Sequence, residues 1–312
     1  MKSYLLIFGL LAGAVVLVIG IAYFKGGGAP SREEETKAEV GATIYPLFDM
    51  ARNVAGDNMK VKLILPPGAS PHLFEFSPRQ LAELKNIKAV FAIGHGLDDW
   101  AAQVRNVSRG ANVMIMDRGI DLRKFEGTGK KGEDMEHEHG GIDPHYWLHL
   151  GNARKITENI AEALGQIDPA QKDSFKSNAQ VYNEKLAAEE QRLRQLLAPA
   201  RGRPILTFHD AWFYFAEDFG LDIVGTFEPA AGQEPTPRYL AELQREMKEK
   251  RIRVIFIEPQ LSTAVLKSFA EDNHASIAEL DPLGGVAGRM TYLDLMEYNA
   301  HSVRQALDQQ RP

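Results

Sequence analysis

The chain has 312 residues, 44% of them apolar and 25% charged, which is the make-up of a globular protein with room for two domains of ordinary size. A net charge of −6 excludes the basic surface that a nucleic-acid partner requires. The absence of cysteine excludes disulfides, thiolate zinc sites, iron–sulfur clusters and a thiol nucleophile, so any metal site must be built from imidazole and carboxylate.

Lys2 is followed by an uncharged apolar run from Tyr4 to Phe24, 21 residues long. At about 1.5 Å per residue it spans roughly 30 Å, the thickness of a bilayer core. That length favours an uncleaved anchor over a cleaved signal peptide, whose apolar region is usually about 7–15 residues. Lys25 to Lys37 is rich in glycine and charge and reads as a flexible tether. Nothing after Glu39 is long and apolar enough to span a membrane. The body of the protein is therefore expected outside the cytoplasm, held close to the membrane.

From Val40 onward, short apolar runs alternate with amphipathic stretches. Strands are expected at Ala42–Tyr45, Val61–Leu65, Ala89–Ile93 and Val113–Met116. Helices are expected from Leu47 to a stop at Gly56, and from Ser77-Pro78, where Ser77 is the cap and Pro78 the first helical residue. Asn152 to Leu164 reads as a helix. Asp168-Pro169 opens a longer one that runs to Ala198, where Pro199 stops it. About 31 residues make a rod of roughly 46 Å, suited to spanning two lobes.

A second α/β half follows. Strands are expected at Ile205–Phe208, Leu221–Gly225, Val254–Ile257 and Ile277–Leu280. Helices are expected at Trp212–Phe219, Pro237–Lys250, Thr263–Asn273 and Tyr292–Leu307. Strands alternating with helices imply βαβ units, so the fold class is α/β with mostly parallel sheets. The expected division is an anchor or signal peptide over 1–24, a tether over 25–39, a first lobe over 40–165, a linking helix over 166–199 and a second lobe over 200–312.

Three histidines and one aspartate share a local setting. Pro71-His72, Pro144-His145, Phe208-His209 and Asp281-Pro282 each lie just after a strand or in a loop braced by proline. Ligands of open α/β sheets bind beyond the carboxyl ends of strands, and adjacent proline stiffens the backbone that holds them. His72 and His145 come from the first half, His209 and Asp281 from the second, so a shared site would sit between the lobes. Imidazole suits zinc, copper, iron and nickel. The three histidines are each more than 60 residues apart. Spacing alone therefore does not decide between ligands and ordinary loop residues. The segment Met135 to Gly140, with His137 and His139, reads as a separate loop that gathers metal at most weakly; deleting it should leave tight binding largely intact. His95 reads as a strand-end residue or a supporting partner, and His149, His274 and His301 as structural.

The segments Pro71-His72 with Glu75 and Pro78, Gly94 to Trp100, Asp143-Pro144-His145 with Trp147, Phe208 to Ala211, Val254 to Gln260, Leu280 to Leu283 and Thr291 to Leu293 occur in a particular order. In that order the chain resembles the zinc/manganese solute-binding proteins of metal ABC transporters, of the zinc-uptake type, from about Thr43 to Leu307. The resemblance implies two Rossmann-like lobes joined by one long helix. It implies His72, His145 and His209 as zinc ligands and places Asp281 at the family's carboxylate position in the second lobe. Manganese-type members carry a glutamate where this chain has His209, and a third imidazole makes the site more zinc-like. The short His-rich loop and the missing lipid-anchor cysteine depart from the pattern of many zinc-type members.

The resemblance thus implies a monomeric, non-enzymatic protein that captures Zn2+ outside the cytoplasmic membrane. It would deliver the ion to a membrane permease driven by a cytoplasmic ATPase, with Asp281 or a water as the fourth ligand. Affinity should fall below about pH 6.5 as imidazole protonates. A single long helix between lobes implies a stiff hinge. The alternatives are manganese or iron uptake through the same site, a zinc hydrolase using Asp210 or Glu258 as base, and an adhesin.

Overall fold

The computed structural model describes residues 38–124, 141–228, 235–260 and 264–309. The expected anchor Tyr4–Phe24, most of the tether, and His137 and His139 lie outside them. Among the described residues no helix is long and apolar enough to cross a membrane.

Two four-stranded parallel sheets carry the fold. The first has strands β1 (Glu39–Ala42), β2 (Lys60–Leu63), β3 (Ala89–Ala92) and β4 (Asn112–Ile115) in the order β2-β1-β3-β4. The second has β5 (Pro204–His209), β6 (Asp222–Glu228), β7 (Val254–Ile257) and β8 (Ser276–Glu279) in the matching order β6-β5-β7-β8. The central strands are short, continuous apolar runs: Ala89, Val90, Phe91 and Ala92 are all buried. Parallel strands covered by helices on both faces need that composition.

The helices are α1 (Tyr45–Ala55), α2 (Pro78–Ala82), α3 (Leu150–Ile167), α4 (Lys172–Leu197), α5 (Phe213–Phe219), α6 (Pro237–Glu249), α7 (Ala264–Asp272) and α8 (Tyr292–Asp308). Their starts are chemically marked. Ser77 and Gln80 form a reciprocal capping box, as do Thr291 and Asp294, and the Thr236 hydroxyl accepts from Tyr239 N–H. Gly220 ends α5 in the left-handed conformation at φ 70°, which side-chain-bearing residues avoid.

Two expectations shift. The first strand ends at Ala42 rather than Tyr45, because Tyr45-Pro46 already form the first turn of α1. The long helix does not start at Pro169. Asp168 accepts a hydrogen bond from Ala170 N–H at 3.2 Å, and Pro169–Gln171 make a separate 3-10 turn before α4 begins at Lys172. The rod is 26 residues, roughly 39 Å. Its buried stripe of Phe175, Ala179, Tyr182, Leu186, Leu193 and Leu197 packs on α1 and α3 of the first half and on α8 of the second.

The halves share their largest interior cluster, beside a smaller one in each half. One apolar cluster runs from Val40 and Leu47 through Trp147 and Leu186 to Trp212, Tyr292 and Leu307. Polar bonds cross with it. Trp147 Nε1–H donates to Pro282 O at 2.8 Å, Tyr292 O–H to Trp147 O at 2.6 Å, and Tyr45 O–H to Met290 O at 2.8 Å. Close approach at this seam requires glycine: a Cβ on Gly285, whose φ is +77°, would stand 2.5 Å from the Tyr45 ring.

Candidate metal centre

The three histidines of the expected ligand set lie at or after the carboxyl ends of strands. His72 lies in a 3-10 turn, Pro71–Leu73, after β2. The turn is pinned by Trp100, whose Nε1–H donates to Pro71 O at 2.9 Å. His145 follows the Asp143-Pro144 corner after β4. His209 is the last residue of β5. His145 and His209 are buried and His72 is half-buried.

These three rings converge. Their centroids are 5.5 Å apart for His72–His145, 5.2 Å for His72–His209 and 5.0 Å for His145–His209. One nitrogen from each lies within 4.8 Å of the others. Around a tetrahedral zinc with bonds of roughly 2.0–2.1 Å, neighbouring donors stand about 3.3 Å apart, so small ring movements would close the cage on an ion. The cavity between them, about 20 Å³, is lined also by Trp147, Glu258, Gln260 and Leu283.

Carboxylates behind the rings set their charge. Asp143 Oδ1 accepts from His145 backbone N–H at 3.0 Å and lies 2.9 Å from its Nδ1. When ionised, that carboxylate only accepts, so Nδ1 then carries the hydrogen and Nε2 keeps its lone pair for an ion. Burial, reinforced by the charge of His209, holds the His145 pKa well below its ordinary value, and the ring is neutral. Burial also pushes Asp143 up to about 7, against the backbone hydrogen bond from His145 and the positive charges of Arg123 and His209.

His209 behaves in the opposite way. Burial is the largest influence and disfavours its charge. Glu258, then Asp210 and Asp143, together outweigh it and raise the ring to about 9. Its Nε2 is 3.1 Å from Asp210 Oδ1 and its Nδ1 is 3.6 Å from Glu258 Oε1. Glu258 is itself buried and fixed by Trp212, whose Nε1–H donates to Oε1 at 2.9 Å.

Asp281 is buried beside this cage but is not among the three clustered donors. Its Oδ1 accepts from Gln260, Leu283 and Gly284, and Arg289 stands 3.1 Å from Oδ2. The other described histidines stay apart. His95, at φ 55°, pairs with Asp117 at 2.9 Å. The His149 ring accepts from Gly151 N–H at the start of α3. His301 is exposed beside Glu297.

Glu258 and Gln260 line the cavity; the sequence offered Glu258 only as the base of the hydrolase alternative and did not single out Gln260. A signal was present. Glu258-Pro259 follows β7 as Asp281-Pro282 follows β8, and both repeat the Asp143-Pro144 pattern of an acid and a proline after a strand.

With this geometry in view, comparisons with known proteins are direct. Residues 40–306 match the model of the ZnuA family, described as the periplasmic component A of a zinc-uptake complex. The chain is 27% identical over 290 residues to the zinc-binding lipoprotein AdcA of Streptococcus pneumoniae, covering 90% of this chain but 58% of that protein. It thus spans little more than half the length of AdcA. It is also 27% identical over 297 residues to the high-affinity zinc uptake system protein ZnuA of Bacillus subtilis, covering 90% of each. Among solved structures it is similar to a zinc-bound deletion mutant of ZnuA, with a TM-score of 0.73, 26% identity and coverage of 87% of this chain and 96% of that one. It is similar too to the laminin-binding protein Lmb of Streptococcus agalactiae, a bifunctional protein with adhesin and metal transporting activity, with a TM-score of 0.75, 28% identity and coverage of 87% and 99%. The fold, the placement of three histidines at strand ends and the match across residues 40–306 agree, and the chain belongs to the ZnuA family.

Proposed function

We propose that the protein captures Zn2+ outside the cytoplasmic membrane and hands it to the permease of an ABC transporter, whose cytoplasmic ATPase drives uptake. The observation that carries this reading is the cage of His72, His145 and His209, with donors within 4.8 Å of one another and contributed by both halves. Three imidazoles with one position left open suit zinc's preference for four nitrogen or oxygen ligands. His145 is already neutral. Asp143 fixes its tautomer and Glu258 and Asp210 flank His209, so zinc would meet oriented rings with negative charge behind them.

The chain is a carrier and a monomer in this reading, not an enzyme. A cavity of about 20 Å³ between the rings is the size of one water-sized occupant. The converging rings favour metal carriage over adhesion alone. The segment Tyr4–Phe24 would hold the carrier near its permease.

Calorimetric titration with zinc, followed by competition with manganese and iron, tests the reading. One zinc per chain, not displaced by equimolar manganese, is the expected result. Absence of zinc binding, or preferential binding of manganese, would overturn it.

A further inference from the structure

Asp281 holds the position at which the sequence resemblance puts a fourth ligand, yet its carboxylate is engaged elsewhere. Oδ1 accepts from Gln260 Nε2 at 2.8 Å, from Leu283 N–H at 3.0 Å and from Gly284 N–H at 3.1 Å. Oδ2 makes no hydrogen bond and is buried, but it is ion-paired to the Arg289 guanidinium at 3.1 Å. Arg289 is itself fixed: it donates to Glu279 Oε1 at 2.6 Å and lies 4.2 Å above the Tyr298 ring, whose hydroxyl donates to the same Glu279 oxygen. The guanidinium and the two backbone amides hold Asp281 where it is.

Gln260, unlike Asp281, lines the cavity beside the three rings. A carboxylate can only accept, so the Gln260 NH2 must be the group that faces Asp281. The carbonyl end, Oε1, is then left buried and without a hydrogen-bond partner. An unsatisfied buried acceptor is a standing cost, removed when a cation or a cation-bound water arrives.

We propose that Asp281 is the anchor of a relay, Arg289–Asp281–Gln260, that presents a neutral amide oxygen to the His72–His145–His209 cage, rather than a metal ligand itself. Arg289 is then a specificity-determining residue, because it keeps a carboxylate off the ion. Carboxylate oxygen favours manganese, whereas a set dominated by imidazole favours zinc. The inference rests on the zinc reading of the same cage and deepens it.

The test compares the full chain with Asp281→Asn, Gln260→Leu, Arg289→Met and the Arg289→Met/Asp281→Asn pair. Zinc and manganese affinities and the visible absorption of bound Co2+ are measured. As an outer partner, Asp281→Asn should weaken zinc by about tenfold and leave the Co2+ spectrum of the wild type, whereas Gln260→Leu removes the presented oxygen and should both weaken zinc and alter that spectrum. Arg289→Met should free the carboxylate and raise manganese affinity, about tenfold, because carboxylate oxygen suits manganese, and the pair should lose that gain. A collapse of zinc binding in Asp281→Asn with an altered Co2+ spectrum, or an Arg289→Met variant with unchanged manganese affinity, would overturn the relay. If a variant fails to fold, a crystal structure of the zinc-loaded wild type decides, since an Asp281 oxygen bonded to zinc would equally overturn it. A wild-type chain that binds no zinc is the separate outcome that removes the functional reading as well.

Discussion

Asp49 and Asp218 hold corresponding places in the two halves, and each caps the last helix of the other half. Asp49, in α1 of the first half, accepts from Tyr292 N–H, the first residue of α8, at 2.9 Å. Asp218, in α5 of the second half, accepts from Leu150 N–H, the first residue of α3, at 2.9 Å. Both carboxylates are buried. Asp49 also takes Tyr182 O–H at 3.1 Å and Arg52 at 2.8 Å, and Asp218 takes Arg194 at 2.7 Å. Negative charge at a helix start offsets the partial positive charge there and satisfies an otherwise orphaned N–H.

This exchange predicts that Asp218→Ala and Asp49→Ala each destabilise the chain by about 2 kcal/mol, the cost of a buried donor left without its acceptor. Asp218→Asn keeps an acceptor for Leu150 and should lose less. Urea denaturation monitored by circular dichroism measures the series. Equal stability of wild type and both alanine variants would show that the caps contribute nothing.

The support behind the rings is separable from the rings. His209→Ala should remove most zinc affinity. Asp143→Asn leaves the His145 nitrogen in place but weakens its orientation, and should lower affinity by about 10–100-fold. Calorimetry distinguishes the two, and a His209→Ala variant that binds as well as wild type would remove His209 from the ligand set.

The raised pKa of His209 sets a pH window. Its ordinary value is 6.5 and its folded value about 9. A group whose pKa rises on folding contributes stability that is fully present below the unfolded value and lost as pH climbs through the folded one. Metal-free protein should therefore lose melting temperature between pH 6.5 and about 9. Zinc competes for the same nitrogen, so its stabilising shift should grow across that window. This moves the expected onset of weakening upward from the 6.5 of an isolated imidazole, because Glu258 stands behind the ring. Thermal scans with and without zinc check both slopes, and a metal-free profile that rises with pH would contradict the assignment.

Gly285→Ala tests the seam between the halves. The substitution adds a Cβ 2.5 Å from Tyr45 at a φ of +77°. It should cost about 1–3 kcal/mol, the scale of local backbone strain, while leaving the histidines untouched. A urea midpoint matching wild type would show that the seam yields freely.

Much of this was legible in the residues. Val254–Ile257 and the alternation of strand and helix around it were visible because a strand covered on both faces must be an unbroken apolar run, and because caps and prolines marked many of the boundaries. The histidines were visible through their proline-braced settings. Burial was not. Asp49 lies on an amphipathic helix and looks solvated in sequence, yet its partners Tyr182 and Tyr292 arrive from 133 and 243 residues away. Gln260 is likewise an ordinary polar residue until β7 and β8 pair and set it against Asp281. The break at Asp168 was legible, but the form of the turn after it was not, because Asp-Pro starts a helix and a 3-10 turn equally well.

The exchanged caps have a consequence for how the polypeptide could have arisen and how it can be cut. The two sheets share one strand order, as a duplicated ancestor would leave behind. Beside its own cap, each closing helix takes the acceptor for its first N–H from the other half. Severed in the turn at Pro169–Gln171, the pieces would each lose one helix-start acceptor and expose their share of a common interior. They should recover structure only when mixed, as complementing fragments.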